Sequence, residues 1–226
     1  MATDLIDDDT KSSWLVCGWF TPDYEHWARQ LAVSLDTVGA PYHLRAVDKS
    51  ARSWEGETMR KPFMIKQALE QFPDRTIVFV DVDCRVLRPL HTVIENMRAD
   101  VAAFVSAKRA RRGKDGALIK VRSGAMLFSP TQGAKNFVDA WIKSGGECGP
   151  FDVDQTSLMI AMGRVVDSSF QFLPVECCAT VGDRCENPFI LHDHASRDKS
   201  KVPKLVGRML GSWLSSDNKG RKLGGS

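Results

Sequence analysis

The sequence predicts an α/β fold, one domain built on a mostly parallel central sheet with helices on both of its faces. Three observations carry that expectation. Short, continuous apolar runs alternate with segments in which apolar residues recur at helical spacing. The runs are too uniformly apolar for strands with one wet face, so they fit strands covered on both sides. Two aspartates, Asp81 and Asp83, stand at the carboxyl end of one such run, where open parallel sheets bind their ligands.

Taken in order, the start MATDLIDDDTKSS is acidic and is expected to fray, giving a flexible N-terminus over residues 1–13. WLVCGWF, Trp14 to Phe20, reads as the first strand. In TPDYEHWARQLAVSLDTVGAPY, Thr21 is a cap and Pro22 sits at the first helical position. Asp23 and Glu25 favour the positive end of the helix dipole, Trp27, Leu31 and Leu35 follow at helical spacing, and Gly39 with Pro41 ends the element. YHLRAV reads as a strand, KPFMIKQALEQF as a helix stopped by Pro73, and TIVFV as the strand that delivers the aspartates. HTVIENMR is a short helix, VAAFVS a strand, and the basic, glycine-punctuated AKRARRGKDGALIKVRSG an exposed loop. AMLF returns to strand. SPTQGAKNFVDAWIKSGG is a helix with Ser129 as its cap and Pro130 at its first position, and DVDQTSLMIAMG is another. FQFLP and PFILH are the last strands.

Composition narrows the function. A chain of 226 residues holds one substantial α/β domain, and 43% hydrophobic with 26% charged residues is ordinary for a globular protein. A formal net charge of +3 supplies no global field for nucleic acid. No stretch approaches the ~20 apolar residues of a membrane span, and no secretory signal is visible. Cys17 and Cys84 lie in apolar runs, a usage that points to a reducing, cytoplasmic compartment. CCATVGDRCENPFILHDH gathers cysteines and histidines, yet without the close Cys pairs of a zinc site. Residues 198–226 read as a basic helix and tail. Leu205, Met209, Leu210 and Trp213 recur there at helical spacing, a face for packing on the domain or for weak contact with a membrane surface.

Side chains two apart in a strand point the same way, so Asp81 and Asp83 can reach one cation. Paired hard oxygens suit Mg2+ or Mn2+, shared with the phosphates of a substrate. A solvated strand-end turn is the plain alternative. Haloacid-dehalogenase-like phosphatases also end an apolar strand in D-x-D. Here Arg85 occupies the step where that family has Thr or Val, and no later acidic pair follows a strand to hold its metal.

The chain resembles the GT-A-type nucleotide-sugar glycosyltransferases, nearest the glycogenin-like and lipopolysaccharide-galactosyltransferase-like retaining group. The resemblance rests on blocks in the right order: CGWFTPDYEHWARQLAVSL, FMIKQALEQFPDRTIVFVDVDCRVLRPL, RSGAMLFSPTQGAKNFVDAWI, GPFDVDQTSLMIAM, FLP and ILHDHASR. It implies a single GT-A, Rossmann-like domain over residues 14–197, and a metal-dependent transfer from a nucleotide-sugar donor, foremost a UDP-sugar, with retention. The acceptor class stays open among glycan, lipid, protein and modified nucleic acid. The alternative is a non-catalytic module of the same fold that binds a nucleotide or a glycan. By the same resemblance Asp81, Asp83 and His192 hold Mn2+ or Mg2+, with His194 as the stand-in for His192 and Asp81 also able to hold the ribose. Lys66 contacts the diphosphate, Thr21 and Tyr24 flank the base, and Ser123 and Gly124 let the sugar approach the backbone. Asp154 and Gln155 lie near the reacting carbon. Two departures stand out: Arg122 precedes Ser123 where the family has Asn, and the closing segment reads HDH.

Overall fold

The computed structural model of the chain describes residues 2–51, 53–107, 119–164 and 167–193. Its first elements are β1 (Leu5–Asp7), β2 (Trp14–Phe20), α1 (Glu25–Val38), β3 (Tyr42–Ala46), α2 (Trp54–Thr58), α3 (Lys61–Gln71), β4 (Thr76–Val80) and β5 (Cys84–Val86). There follow α4 (His91–Glu95), β6 (Val101–Ala107), β7 (Ile119–Phe128), α5 (Gln132–Gly145), α6 (Asp154–Met162), β8 (Phe170–Leu173), β9 (Ala179–Thr180) and β10 (Ile190–His192). The tail expected over 198–226, His194 and the centre of the basic loop lie outside the described residues.

Seven strands form the main sheet in the order β1-β3-β2-β4-β7-β6-β8. Five of them run one way, while β1 and β7 run against their neighbours. The parallel sheet read from the sequence therefore carries a reversed strand near its middle. Strand direction leaves no mark in local periodicity, which reports only which residues face the core. The reversal matters for the site, because the entering end of β7 comes to lie beside the carboxyl end of β4. There the β6–β7 register jumps from Ala103↔Met126 to Phe104↔Arg122, so residues 123–125 bulge away from β6 while Ala125 still pairs with Val80. Bulges of this kind re-aim the chain next to functional sites.

The alternation of β2 divides the core. Trp14, Val16 and Phe20 pack with Ala28, Leu31 and Leu35 of α1 on one face. Leu15 and Cys17 pack with α3, α5 and α6 on the other, around the fully buried Trp141. Helices cover both faces as expected. Pro22–Tyr24 form a short 3-10 turn leading into α1, which ends at Gly39 with φ +64°, a left-handed conformation that glycine adopts without strain.

Several expectations need correction. The acidic start is not frayed: Leu5–Asp7 pair with β3, and Arg75 donates to Asp8 (2.6 Å) and to the carbonyls of Asp9 (2.7 Å) and Ser12 (2.9 Å). Helix α5 is capped by Thr131, which accepts from the Ala134 N–H, whereas the Ser129 hydroxyl donates to the Ala99 carbonyl. Strand β7 begins at Ile119, inside the segment read as a loop. A small second sheet, β5-β10-β9, packs into the α1 side of the core through Cys84, Val86 and Ile190.

Candidate functional site

Beyond Val80 the chain turns instead of continuing as a strand. The Asp81 N–H donates to the Gly124 carbonyl (2.9 Å), and the Cys84 N–H donates back to the Asp81 carbonyl (3.0 Å). The two aspartates take different partners, Lys61 for Asp81 and His192 for Asp83.

Asp81 meets Lys61, the first residue of α3. The Lys61 ammonium lies 2.8 and 3.0 Å from the two Asp81 oxygens and 2.8 Å from Asp154 at the start of α6. It also donates to the Ser123 carbonyl and hydroxyl, both at 3.2 Å, groups that the β7 bulge presents to it. Lys61, Asp154 and Ser123 are all buried. Burial pulls the lysine pKa down, but the Asp154 and Asp81 carboxylates outweigh it and hold the ammonium above its ordinary value. Burial pushes the Asp81 carboxyl up against the opposing pull of Lys61 and His192.

Asp83 meets His192, whose Nε2 lies 2.9 Å from Asp83 Oδ1. Burial lowers the imidazole pKa, and the hydrogen bond and charge of Asp83 more than reverse that. Gly124 makes room for the ring. A Cβ at this position would sit 2.8 Å from His192 Nδ1 and 3.4 Å from Asp81 Oδ2, so any side chain displaces the histidine. Asp83, Cys84 and His192 bring ligand atoms within 4.8 Å of one another. The Cys84 thiol is buried, its pKa driven well up by desolvation and then by Asp83, and it donates to the Gly124 carbonyl (3.6 Å). A neutral thiol is a poor ligand, which leaves Asp83 and His192 as the donors that fit a cation, with Asp81 flanking the same glycine. Asp81 and Asp154 share one lysine, and Asp83 stands against His192 beside them. That excess of negative charge favours a bound divalent ion.

The remaining predicted residues fall unevenly. Thr21, buried at the end of β2, donates to Asp23 (2.5 Å). The Tyr24 phenol is pushed up by burial and by Asp83, Asp23 and Asp81, so it stands within electrostatic reach of both motif aspartates. Gln155 follows Asp154 on α6, half-buried. Helix α2 meets the start of α6, where the Thr58 hydroxyl accepts from the Asp154 N–H (3.4 Å). Lys66 points to solvent and pairs with Asp139 (2.7 Å) on α5, while the lysine of the site is Lys61. A signal for Lys61 was present, because a cation in the first turn of a helix opposes the dipole and asks for a carboxylate partner.

No protein-family profile and no curated protein matches the chain. Solved structures do match in fold. A glycosyltransferase involved in glycosylation of the major capsid of PBCV-1 aligns over 81% of this chain and 94% of its own, with a TM-score of 0.60 and 12% identity. The glycosyltransferase GlyE of Streptococcus pneumoniae aligns over 80% of this chain but 54% of its own, with a TM-score of 0.54 and 13% identity. Mouse xyloside xylosyltransferase 1 aligns over 81% and 98%, with a TM-score of 0.51 and 13% identity. The chain thus has the fold of the GT-A-type glycosyltransferases.

Proposed function

We propose that this protein is a metal-dependent glycosyltransferase that takes a sugar from a nucleotide-diphosphate donor, with a UDP-sugar as the first choice, and transfers it with retention. The observation that carries the reading is the convergence of Asp81, Asp83 and His192 around Gly124 at the carboxyl end of β4, with Lys61 and Asp154 directly behind. The likeness in fold to several glycosyltransferases supports it, and the resemblance to a retaining group is the ground for retention.

Asp83 and His192 would hold Mn2+ or Mg2+, with Asp81 beside them. The ion would supply Lewis-acid neutralisation of the charge that builds on the departing diphosphate. The protein's own residues do the rest. Lys61 fixes the Asp81 and Asp154 carboxylates in place, so their geometry is set before the donor arrives. Asp154 and Gln155 line the approach to the reacting carbon, where a carboxylate and an amide stabilise a positively charged sugar. Gly124 keeps the backbone low enough for both imidazole and donor. Tyr24, next to Asp83, bounds the nucleotide side. Among the described residues no helix is long and apolar enough to cross a membrane.

The test is donor turnover. Purified protein with Mn2+ and a panel of sugar nucleotides is expected to hydrolyse one donor slowly, and Asp83→Asn to abolish this while metal-free thermal unfolding stays unchanged. Full turnover by Asp83→Asn, or phosphate release from simple phosphomonoesters in place of donor cleavage, overturns the proposal.

A further inference from the structure

The HD of the closing segment and the D-x-R of the motif interlock residue by residue. Asp83 takes His192, and two positions further along, in β5, Arg85 takes Asp193. The guanidinium donates through Nε to Asp193 Oδ2 (2.6 Å) and through Nη2 to Oδ1 (2.9 Å), a two-pronged pair with fixed relative orientation. The Asp193 N–H in turn donates to the Asp83 carbonyl (2.9 Å). Strand β10 is only three residues long, and its register places His192 opposite Cys84, between the two gripping residues. Asp193 therefore fastens the end of β10 twice, to the backbone of Asp83 and to the side chain of Arg85.

A pair of this kind does little for stability. Arg85 remains 43% exposed at its side chain, and ion pairs at such positions contribute little to folding. What the pair does constrain is rotation of the segment that carries the imidazole. Strand β10 is held on both sides by β5 and β9, but the ladder ends at His192, and the planar fork of Arg85 fixes the residue that follows it.

We propose that Arg85 and Asp193 are positioning residues of the metal site, holding the His192 imidazole against Asp83. The inference rests on the functional reading above, and its consequence is a split between metal affinity and stability. Residues that orient a metal ligand without touching the ion typically change affinity by ten- to a hundredfold, and the lower figure of about tenfold is expected here.

The experiment measures Mn2+ binding to the whole protein, without donor, by the loss of the free-ion electron paramagnetic resonance signal. Arg85→Lys, Arg85→Ala and Asp193→Asn are each expected to weaken binding about tenfold with little change in metal-free thermal unfolding. The double variant Arg85→Ala/Asp193→Asn should be no weaker than the worse single one, because one interaction is removed once. Arg85→Lys keeps the charge but loses the fork, so its loss separates orientation from electrostatics. Unchanged affinity in the single variants, or additive losses in the double, overturns the inference. If wild-type binding does not depend on Asp83, the functional reading falls and this inference with it. If binding depends on Asp83 and ignores Arg85 and Asp193, only the inference falls.

Discussion

Two lysines on one helix show how far residue-level reading goes. Lys61 and Lys66 are five positions apart, about 140° around a helix of 3.6 residues per turn. Ile65, Ala68 and Leu69 are buried at four, seven and eight residues beyond Lys61, so periodicity already puts Lys61 on the inward face and Lys66 off it. What no local pattern contains is the reason a lysine is tolerated there, since Asp154 lies 93 residues further along. Lys61→Met strands two carboxylates with burial and no counter-charge. We expect a loss of about 3 kcal/mol in urea unfolding together with loss of donor turnover. Lys66→Ala should leave both unchanged, and a turnover defect in it would return Lys66 to the site.

Elements are placed by side chains that sequence reading passes over. Asp100, just before β6, accepts from the Thr131 hydroxyl (2.6 Å) at the cap of α5 and from the Ser169 N–H and hydroxyl (both 2.7 Å) before β8. The carboxylate sits so close over the first turn of α5 that a Cβ at Gly133 would lie 2.4 Å from its Cγ. Its pKa is lowered, first by the Thr131 hydrogen bond and then by the Ser169 N–H. A carboxyl with a folded pKa below its unfolded ~3.9 adds stability at neutral pH and loses it as pH falls below about 4. Asp100→Ala should therefore lower stability by about 1 kcal/mol at pH 7, with the gap to wild type closing in acid, as followed by thermal unfolding across pH. A gap that does not narrow at all between pH 7 and pH 3 would mean that packing, not charge, is what the variant lost. The strands and helices around Asp100 were legible from apolar spacing. The Thr131 cap was displaced to Ser129 because Ser-Pro is a sound helix start in isolation, and only the contact with Asp100 selects between them.

For the whole molecule, the legible part was the layering and the order of chemistry-bearing blocks, because both are written in short stretches such as TIVFVDVD and PFILH. The illegible part was direction and edge. The reversal of β7 and the recruitment of Leu5–Asp7 as an edge strand depend on partners far away, His43 and Arg75 among them. Asp4 accepts from the Ala46 N–H (2.8 Å), so the acidic segment covers the rim of β3 with both backbone and side-chain bonds. Removing residues 1–10 should expose that rim, and an uncovered strand edge is a template for self-association. We expect a lower unfolding temperature and concentration-dependent light scattering. A truncated chain that stays monomeric and as stable as the full one would show that β1 is ornamental.

The clasp between Arg85 and Asp193 closes a loop of 108 residues, and Lys61 reaches Ser123 across 62. Loop closure of that length is slow, whereas helices and neighbouring strands form early. The order of folding follows: the two-faced sheet condenses first, and the proposed cation site comes into being only when β10 docks against β5. On the proposed reading, a chain still emerging from the ribosome carries Asp81, Asp83 and Lys61 before His192 joins them, and a clipped chain that stops before Ile190 would lack the histidine donor for the cation.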